Sequence, residues 1–482
     1  MKQLLSKKIL LTCIFLLNII IASAQNVSKA KQPIELKHGA HRIGKRTDSA
    51  MARWRGYGFG QFIHWGLYAI PGGEWNGKQY NGAAEWIRSW SGMPKSAYDS
   101  LIYQFNPTKF NATAWAKTAK QMGVKYVTIT TKHHDGFCLW PSKFSDYNVG
   151  NSPYKKDIIG SIVDAYNKEG IDVVLYFSIM DWHNPDWRYD IKTKDDSLAM
   201  ARFDQYTRNQ LLELLKRYPT IKGFWFDGTW DKGWVKQAAF ADELEQELRR
   251  VHPGLIIGSR LHADEFGKRG DDSNGNLIGD YEQGWERKIP EKIEDVHNND
   301  WECVMTVPEN QWGYNKAWNG HIKTADEIIE MLARCRSLGG NFVLNFGPKG
   351  DGTLRHEELD LAKEIGEWMH INGDAIYNTT YAGFDKQDWG YFTRKTGTNK
   401  VYMVVFNVPV SGALRVKLPA HTSIDKAYLL TDPGQIFVPE EIASREYFIH
   451  LKGELYKKPF VIVLETTSTA KDNGKVYEEA KT

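Results

Sequence analysis

The chain has 482 residues, of which 13% are aromatic, and its Lys and Arg residues outnumber its Asp and Glu residues by only three. This near-neutral charge predicts neither nucleic acid nor another polyanion as a partner. The length suffices for one large domain and a smaller one, whereas four cysteines are too few for a disulfide framework, so we expect a stabilising hydrophobic core.

The first 24 residues have the layout of a cleavable secretory signal. Three lysines precede the apolar run 9–21, and Ala22-Ser23-Ala24 precedes Gln25. The run is too short for a comfortable membrane span. We therefore expect an exported protein without a membrane span, periplasmic or extracellular, whose first domain begins at residue 25.

From residue 56 to residue 348, short apolar runs alternate with amphipathic helical patterns. Continuous apolar strands that alternate with helices are typical of a parallel sheet, and eight of them indicate a (β/α)8 barrel, an α/β fold. A doubly wound open sheet is the alternative, although no glycine-rich phosphate motif follows the first strand. The predicted strands are 58–65, 124–131, 172–179, 221–227, 254–260, 279–283, 301–307 and 341–347, and the predicted helices are 112–123, 156–170, 201–218, 240–251, 324–339 and 355–372.

After the last of these helices the pattern changes to short alternating runs that are divided by turns. Such runs predict an antiparallel β-domain, most simply a β-sandwich. The predicted domain bounds are therefore 25–375 for the barrel and 376–468 for the sandwich. A polar tail at 469–482 completes the chain.

Polar residues stand at the carboxyl ends of the predicted strands, where barrels of this kind gather their functional groups. In a metal hydrolase, adjacent His133 and His134 would have to reach one ion, but they would point to opposite faces of a continuing strand. A glycosidase instead needs two carboxylates, and Asp227, at the end of an apolar strand, suits the nucleophile. The strand-end residues are His64, His133, His134, Asp135, Tyr176, Asp227, Arg260, Asp280, Glu282 and Glu286.

Eight stretches, in chain order, resemble the α-L-fucosidases of glycoside hydrolase family 29. They are FGQFIHWGLYAIPGGEW, AEWIRSW, KYVTITTKHHDGFCLWPS, LYFSIMDWHNP, FWFDG, GDYEQGWERKIP, WECVMTVPENQWGYN and GGNFVLNFGPKGDG. The resemblance covers roughly residues 40–380, and HHDGF and the WFDG-type strand are its specific parts. It implies a (β/α)8 barrel with a C-terminal β-sandwich, retaining release of terminal α-L-fucose, and neither a metal nor an organic cofactor.

The resemblance also implies roles for single residues. Asp227 matches the nucleophile; for the acid/base, Glu286 is the first choice, in a loop after the sixth strand, followed by Glu282 and Glu302. In a retaining glycosidase the two carboxyl groups lie about 5 to 5.5 Å apart. The implied fucose-binding residues are His64, Glu85, Trp86, His133, His134, Tyr176, Trp225 and Arg260, while Trp312 and Tyr314 are expected to line the pocket or a positive subsite, and Asn345 and Asp351 to close the barrel and order its last loop.

Two other functions stay open at this point. The same scaffold could act on α-L-galactose, which differs from fucose only at C6, and an apolar wall for the methyl group would separate the two sugars. A catalytically inert fucose-binding protein is the other alternative, and the retained acids argue against it. The aglycone and the linkage stay open as well.

Overall fold

A computed structural model describes residues 46–80, 82–262, 276–451 and 459–468. The predicted signal peptide and polar tail lie outside these residues. Within them, no helix is both long enough and apolar enough to cross a membrane.

Eight parallel strands form one curled sheet, as the alternation of strands and helices predicts. Neighbours along the sheet follow the order β5-β4-β3-β2-β1-β8-β7-β6, so consecutive strands pair, except for β5 and β6 at the two ends of this order, and β1 pairs with β8. Between β5 and β6, Ser259 N–H donates to Tyr281 O (3.0 Å) and Asp280 N–H donates to Ile257 O (2.7 Å). The strands are β1 (Phe59–Ile63), β2 (Tyr126–Lys132), β3 (Asp172–Ser178), β4 (Gly223–Asp227), β5 (Ile256–Ile257), β6 (Glu282–Glu286), β7 (Trp301–Thr306) and β8 (Asn341–Phe346).

Helices surround this sheet, and capping residues set the ends of some of them. The helix predicted at 201–218 begins at Lys194, because Thr193 and Asp196 form a capping box that precedes any apolar periodicity. The helix predicted at 112–123 stops at Met122, since Gly123 takes a left-handed conformation (φ 92°) that favours glycine. The helices are α1 (Ser49–Tyr57), α2 (Ile87–Trp90), α3 (Lys95–Asp99), α4 (Ala112–Met122), α5 (Ile158–Lys168), α6 (Lys194–Arg217), α7 (Lys232–Val235), α8 (Ala238–Val251), α9 (Ala325–Ser337) and α10 (His356–Asn372).

The barrel interior is filled largely by aromatic side chains. Phe62, Tyr176 and Trp225 share one buried cluster, which stacks towards the carboxyl ends of the strands. At the amino ends, Tyr57 of α1 stacks on Tyr126, the first residue of β2, with 5.0 Å between ring centroids. The interior is therefore a packed core, and in barrels of this kind the functional groups gather at the carboxyl-end rim.

The C-terminal part consists of antiparallel sheets, as predicted. One sheet has the order β9-β10-β11-β17-β13-β14 and the other the order β12-β16-β15. It is joined to the barrel by hydrogen bonds such as that from Trp368 Nε1 to Pro459 O (2.8 Å). Its strands are β9 (Thr379–Thr380), β10 (Gly390–Lys395), β11 (Lys400–Val405), β12 (Ala413–Lys417), β13 (Thr422–Leu429), β14 (Asp432–Phe437), β15 (Glu440–Ala443), β16 (Glu446–His450) and β17 (Phe460–Ser468).

Candidate active site

Asp227 is the last residue of β4, and three side chains surround its carboxylate. Tyr176 Oη donates to Oδ2 at 2.8 Å and Arg260 Nη1 donates to Oδ1 at 2.8 Å, while His134 Nε2 lies 3.7 Å from Oδ2. The side chain is only 13% exposed. These charge-assisted hydrogen bonds offset the cost of placing a carboxylate at the end of an apolar strand.

Arg260 bridges two carboxylates. Its Nη1 contacts Asp227 and its Nη2 lies 2.6 Å from Glu286 Oε1, so the width of one guanidinium separates the two acids. The guanidinium also lies over the Trp225 ring, 4.8 Å from the centroid. The strand predicted at 254–260 is shorter in the structure. It comprises only Ile256–Ile257 (β5), and Arg260 lies on the 3-10 turn Ser259–His262 that follows.

Glu286 is the last residue of β6, so the predicted loop position for it is wrong. The strand predicted at 279–283 begins three residues later because Asp280, just before it, accepts hydrogen bonds from Arg46 (2.9 Å) and Arg249 (2.9 Å) in a buried ion-pair cluster. The Glu286 side chain is 22% exposed at the rim. Burial raises the pKa of Glu286 and the charge of Asp227 raises it further, whereas Arg260 acts in the opposite direction.

The other two acid/base candidates lie away from this bridge. Glu282 is buried and accepts a hydrogen bond from Asn299 Nδ2 (3.3 Å). Glu302, near the amino end of β7, accepts hydrogen bonds from Trp225 Nε1 (2.6 Å) and Tyr126 Oη (2.8 Å). Burial raises the pKa of Glu302 to about 7. Through the hydrogen bond that it accepts from Trp225 Nε1, Glu302 supports the Trp225 ring from below the rim.

Two histidines are held in one tautomer by their neighbours. His64 Nδ1 lies 2.6 Å from Asn345 Oδ1, and the Asn345 amide donates to Trp312 O (2.8 Å), so His64 donates from Nδ1. His134 Nδ1 lies 2.7 Å from Ser178 Oγ, whose own proton goes to Met180 O (2.6 Å).

In both rings Nε2 is left as the hydrogen-bond acceptor. Burial lowers the pKa of His64 and of His134 to about 3, so both imidazoles are neutral at ordinary pH. They offer the site lone pairs that can accept from hydroxyl groups.

His133 and His134 lie side by side, with ring centroids 4.2 Å apart. The strand does not continue through them, because β2 ends at Lys132 and the chain turns there, so the opposite orientation expected on a continuing strand does not apply. Together with Asp227 they bring potential metal-ligand atoms within 4.8 Å of one another. Arg260, bound to the same Asp227 carboxylate, places a fixed positive charge there that opposes a cation.

Glu85, Trp86 and Trp312 complete the rim. Glu85 Oε2 accepts from Gly313 N–H (3.0 Å), whereas its buried Oε1 has no partner among the described residues. Burial raises the pKa of Glu85 to about 7. Trp86 lies 5.1 Å from the His134 ring, and Trp312 lies 5.1 Å from the His64 ring, centroid to centroid. The residues predicted to bind sugar thus lie at one end of the barrel, with Tyr176 and Trp225 in the packed interior beneath the others.

Residues 25–374 match the family model described as Alpha-L-fucosidase, almost three quarters of the chain. The chain belongs to the α-L-fucosidase family. It is 29% identical over 393 residues to the tissue α-L-fucosidase of Rattus norvegicus, covering 78% of this chain and 81% of the rat enzyme. It is an α-L-fucosidase of glycoside hydrolase family 29.

Solved structures of α-L-fucosidases have the same fold. One from Bacteroides thetaiotaomicron is 53% identical, with a TM-score of 0.86 over 90% of this chain and 100% of that one; it contains a covalent intermediate trapped with 2-fluoro-fucosyl fluoride in a glutamate-to-glutamine variant. Isoenzyme 1 from Paenibacillus thiaminolyticus is 31% identical, with a TM-score of 0.74 over 87% of this chain and 99% of that one.

Several residues of this α-L-fucosidase site have no motif of their own. Ser178, which orients His134, is one polar residue at the end of an apolar strand. Tyr68, whose ring lies 5.3 Å from the His133 ring, follows the predicted first strand in GLYAI. Trp182 and Trp230 follow β3 and β4; Trp182 lies within the family-like stretch LYFSIMDWHNP, whereas only its position just after a strand end could have indicated Trp230.

Proposed function

We propose that the chain releases terminal α-L-fucose with retention of configuration, with Asp227 as the nucleophile and Glu286 as the acid/base. The observation that carries this assignment is the Arg260 bridge, which holds the two carboxyl groups on either side of one guanidinium. That arrangement is compatible with the spacing of about 5 to 5.5 Å expected of a retaining pair. The covalent intermediate trapped in the 53% identical Bacteroides enzyme supports the same course of reaction.

In the first step an oxygen of Asp227 attacks the anomeric carbon, and Glu286 gives its proton to the departing glycosidic oxygen. Tyr176 and Arg260 hold Asp227 in place through hydrogen bonds of 2.8 Å each. The raised pKa of Glu286, caused by burial and by the Asp227 charge, favours the protonated form that this step needs.

In the second step Glu286 takes a proton from the water that attacks the fucosyl ester. Once Asp227 is esterified its charge is gone, so one cause of the raised Glu286 pKa disappears while Arg260 remains 2.6 Å away. The pKa of Glu286 therefore falls in the intermediate, and the ionised carboxylate becomes the base. The Arg260 guanidinium thus lies beside Glu286 both when Glu286 is protonated, in the first step, and when it is ionised, in the second.

The sugar hydroxyls would be held by neutral and acidic acceptors. His64 and His134 present Nε2, and Glu85 presents its unpaired buried Oε1. Because these groups are buried, a substrate lacking the matching hydroxyl would leave them without partners, which penalises the wrong sugar.

The test is hydrolysis of nitrophenyl α-L-fucoside, with proton NMR to identify the anomer released first. We expect α-L-fucose first, and loss of activity in Asp227→Asn. Asp231→Asn is the matched control, because Asp231 lies four residues further on and its side chain makes no capping hydrogen bond to α7 that the change could remove. Release of the β-anomer, or an active Asp227→Asn variant, would contradict the assignment. Nitrophenyl α-L-galactoside, assayed in parallel, tests the alternative substrate.

A further inference from the structure

Four tryptophan rings form a continuous aromatic surface on the rim, which we call the tryptophan shelf: Trp86, Trp90, Trp182 and Trp230. Trp86 is central, with near-parallel rings on two sides. Its centroid lies 6.1 Å from Trp90 at an interplanar angle of 25° and 6.3 Å from Trp230 at 22°, and Trp182 meets it edge-on at 5.1 Å.

The inner end of the shelf touches the proposed catalytic centre. The His134 ring lies 5.5 Å from Trp182 and 5.6 Å from Trp230, in addition to its contact with Trp86. His134 Nε2 is in turn 3.7 Å from Asp227 Oδ2. One imidazole therefore separates the shelf from the carboxylate that would bind the anomeric carbon.

The outer end of the shelf is exposed but held in place. Trp90 is 51% exposed, yet its ring lies directly on the backbone of Gly82, where an added Cβ would come within 1.8 Å of the indole. Gly82 O accepts a hydrogen bond from the buried Gln311 Nε2 (3.1 Å). A large apolar ring that packs on backbone at one face and is open to solvent is typical of a binding surface.

Arg88 links two of the segments that carry the tryptophan shelf. Arg88, two residues before Trp90 on helix α2, donates from Nη2 to Trp182 O (3.1 Å). Its guanidinium also lies 5.5 Å from the centroid of the Trp182 ring. The segment that carries Trp86 and Trp90 is thus tied to the loop that carries Trp182, a contact that favours a preformed shelf.

We propose that Trp90 and the outer face of the shelf form a leaving-group subsite that stacks on a neutral pyranose ring, the sugar that carries the fucose in an oligosaccharide. The inference rests on the proposed function, because an exo-acting pocket encloses the fucose and the glycosidic oxygen leads the next sugar onto the rim. Pyranose rings present apolar C–H faces, and burying such a face against an indole is favourable. The shelf would therefore favour fucosylated oligosaccharides over fucosides with small leaving groups.

The test compares two substrates in the full-length enzyme. α-L-Fucosyl fluoride has a leaving group too small to reach Trp90, whereas a set of neutral fucosylated trisaccharides with α1,2, α1,3, α1,4 and α1,6 linkages can reach it. The variants are Trp90→Ala, Trp90→Phe and, as control, Tyr103→Ala, which removes a 74% exposed aromatic ring from the 3-10 helix Ser100–Gln104. Thermal unfolding of each variant checks that the fold is retained.

We expect Trp90→Ala to lower kcat/KM about fivefold to tenfold for the best trisaccharide and to change it less than twofold for the fluoride. Trp90→Phe should recover part of the loss, and Tyr103→Ala should resemble the wild type. An equal loss on both substrates, or no loss on either, would overturn the subsite. So would a wild type that hydrolyses the fluoride but no trisaccharide, whereas a wild type inactive on the fluoride would contradict the proposed function itself.

Discussion

Glu302 provides a quantitative test of how buried side chains support the residues at the carboxyl-end rim of the barrel. The carboxyl is buried beneath Trp225, whose N–H it accepts at 2.6 Å, and it also accepts the Tyr126 hydroxyl at 2.8 Å. In Glu302→Gln the amide oxygen can still accept from Trp225, and the amide nitrogen can donate to the Tyr126 oxygen. We therefore expect this variant to fold, and to keep kcat/KM within about tenfold of the wild type because the Trp225 ring beneath Arg260 stays in place.

The magnitude of its effect on stability follows from the pKa of the carboxyl. Burial raises the pKa of Glu302 from 4.5 to about 7, so the unfolded chain ionises at lower pH than the folded protein. Between pH 4.5 and pH 7 this group removes stability as the pH rises, by about 3 kcal/mol in total. The amide does not titrate. The free energy of unfolding of Glu302→Gln should therefore gain about 3 kcal/mol relative to the wild type between pH 4.5 and pH 8.

Unfolding in guanidinium chloride at pH 4.5 and at pH 8 measures the difference in the free energy of unfolding between Glu302→Gln and the wild type. Glu302→Leu should destabilise by about 3–9 kcal/mol, because it leaves the buried donors of Trp225, Tyr126 and Tyr281 without their acceptor. An unchanged difference between Glu302→Gln and the wild type at the two pH values would refute the reasoning.

Three further predictions concern the proposed chemistry and export. Glu286→Gln should lower kcat/KM for an oligosaccharide by about 10²–10⁴-fold and abolish the basic limb of the pH profile of kcat/KM. Added azide, which needs no general base, should attack the fucosyl-enzyme and give α-L-fucosyl azide. A retained basic limb would contradict the acid/base role. Arg260→Lys cannot bridge both acids, so kcat/KM should fall and the basic limb should move to higher pH, since Arg260 lowers the Glu286 pKa; an unmoved limb would argue against the bridge. In a bacterial host, N-terminal sequencing of the exported protein should begin at Gln25, and a retained Met1 would count against export.

The sequence predicts the architecture well because the barrel strands are continuous apolar runs and the helices show regular amphipathic spacing. GFWFD, for example, is a strand in the structure, and Asp227 ends it. The predicted boundaries are wrong where polar interactions determine them. The capping box at Thr193 makes α6 begin earlier than predicted, and the ion pairs of Asp280 make β6 begin later. These interactions depend on groups that periodicity does not detect.

The candidate site shows the same division. Strand-end positions predict that Asp227 and Glu286 share one rim. They do not predict that Arg260 joins them, because the arginine lies on a 3-10 turn 33 residues after Asp227, and only the tertiary fold brings the three together. Nor do they predict the adjacent rings of His133 and His134, which depend on a turn at the end of β2.

The most direct test of the proposed mechanism is to trap the fucosyl-enzyme. The protein is incubated with 2-fluoro-fucosyl fluoride, both as wild type and as Glu286→Gln, then digested with pepsin and analysed by mass spectrometry. We predict one fluorofucosyl group per chain, esterified to Asp227 within the GFWFDG segment. A label on another carboxyl group, or an enzyme that turns over α-L-fucosides without ever being labelled, would contradict Asp227 as the nucleophile.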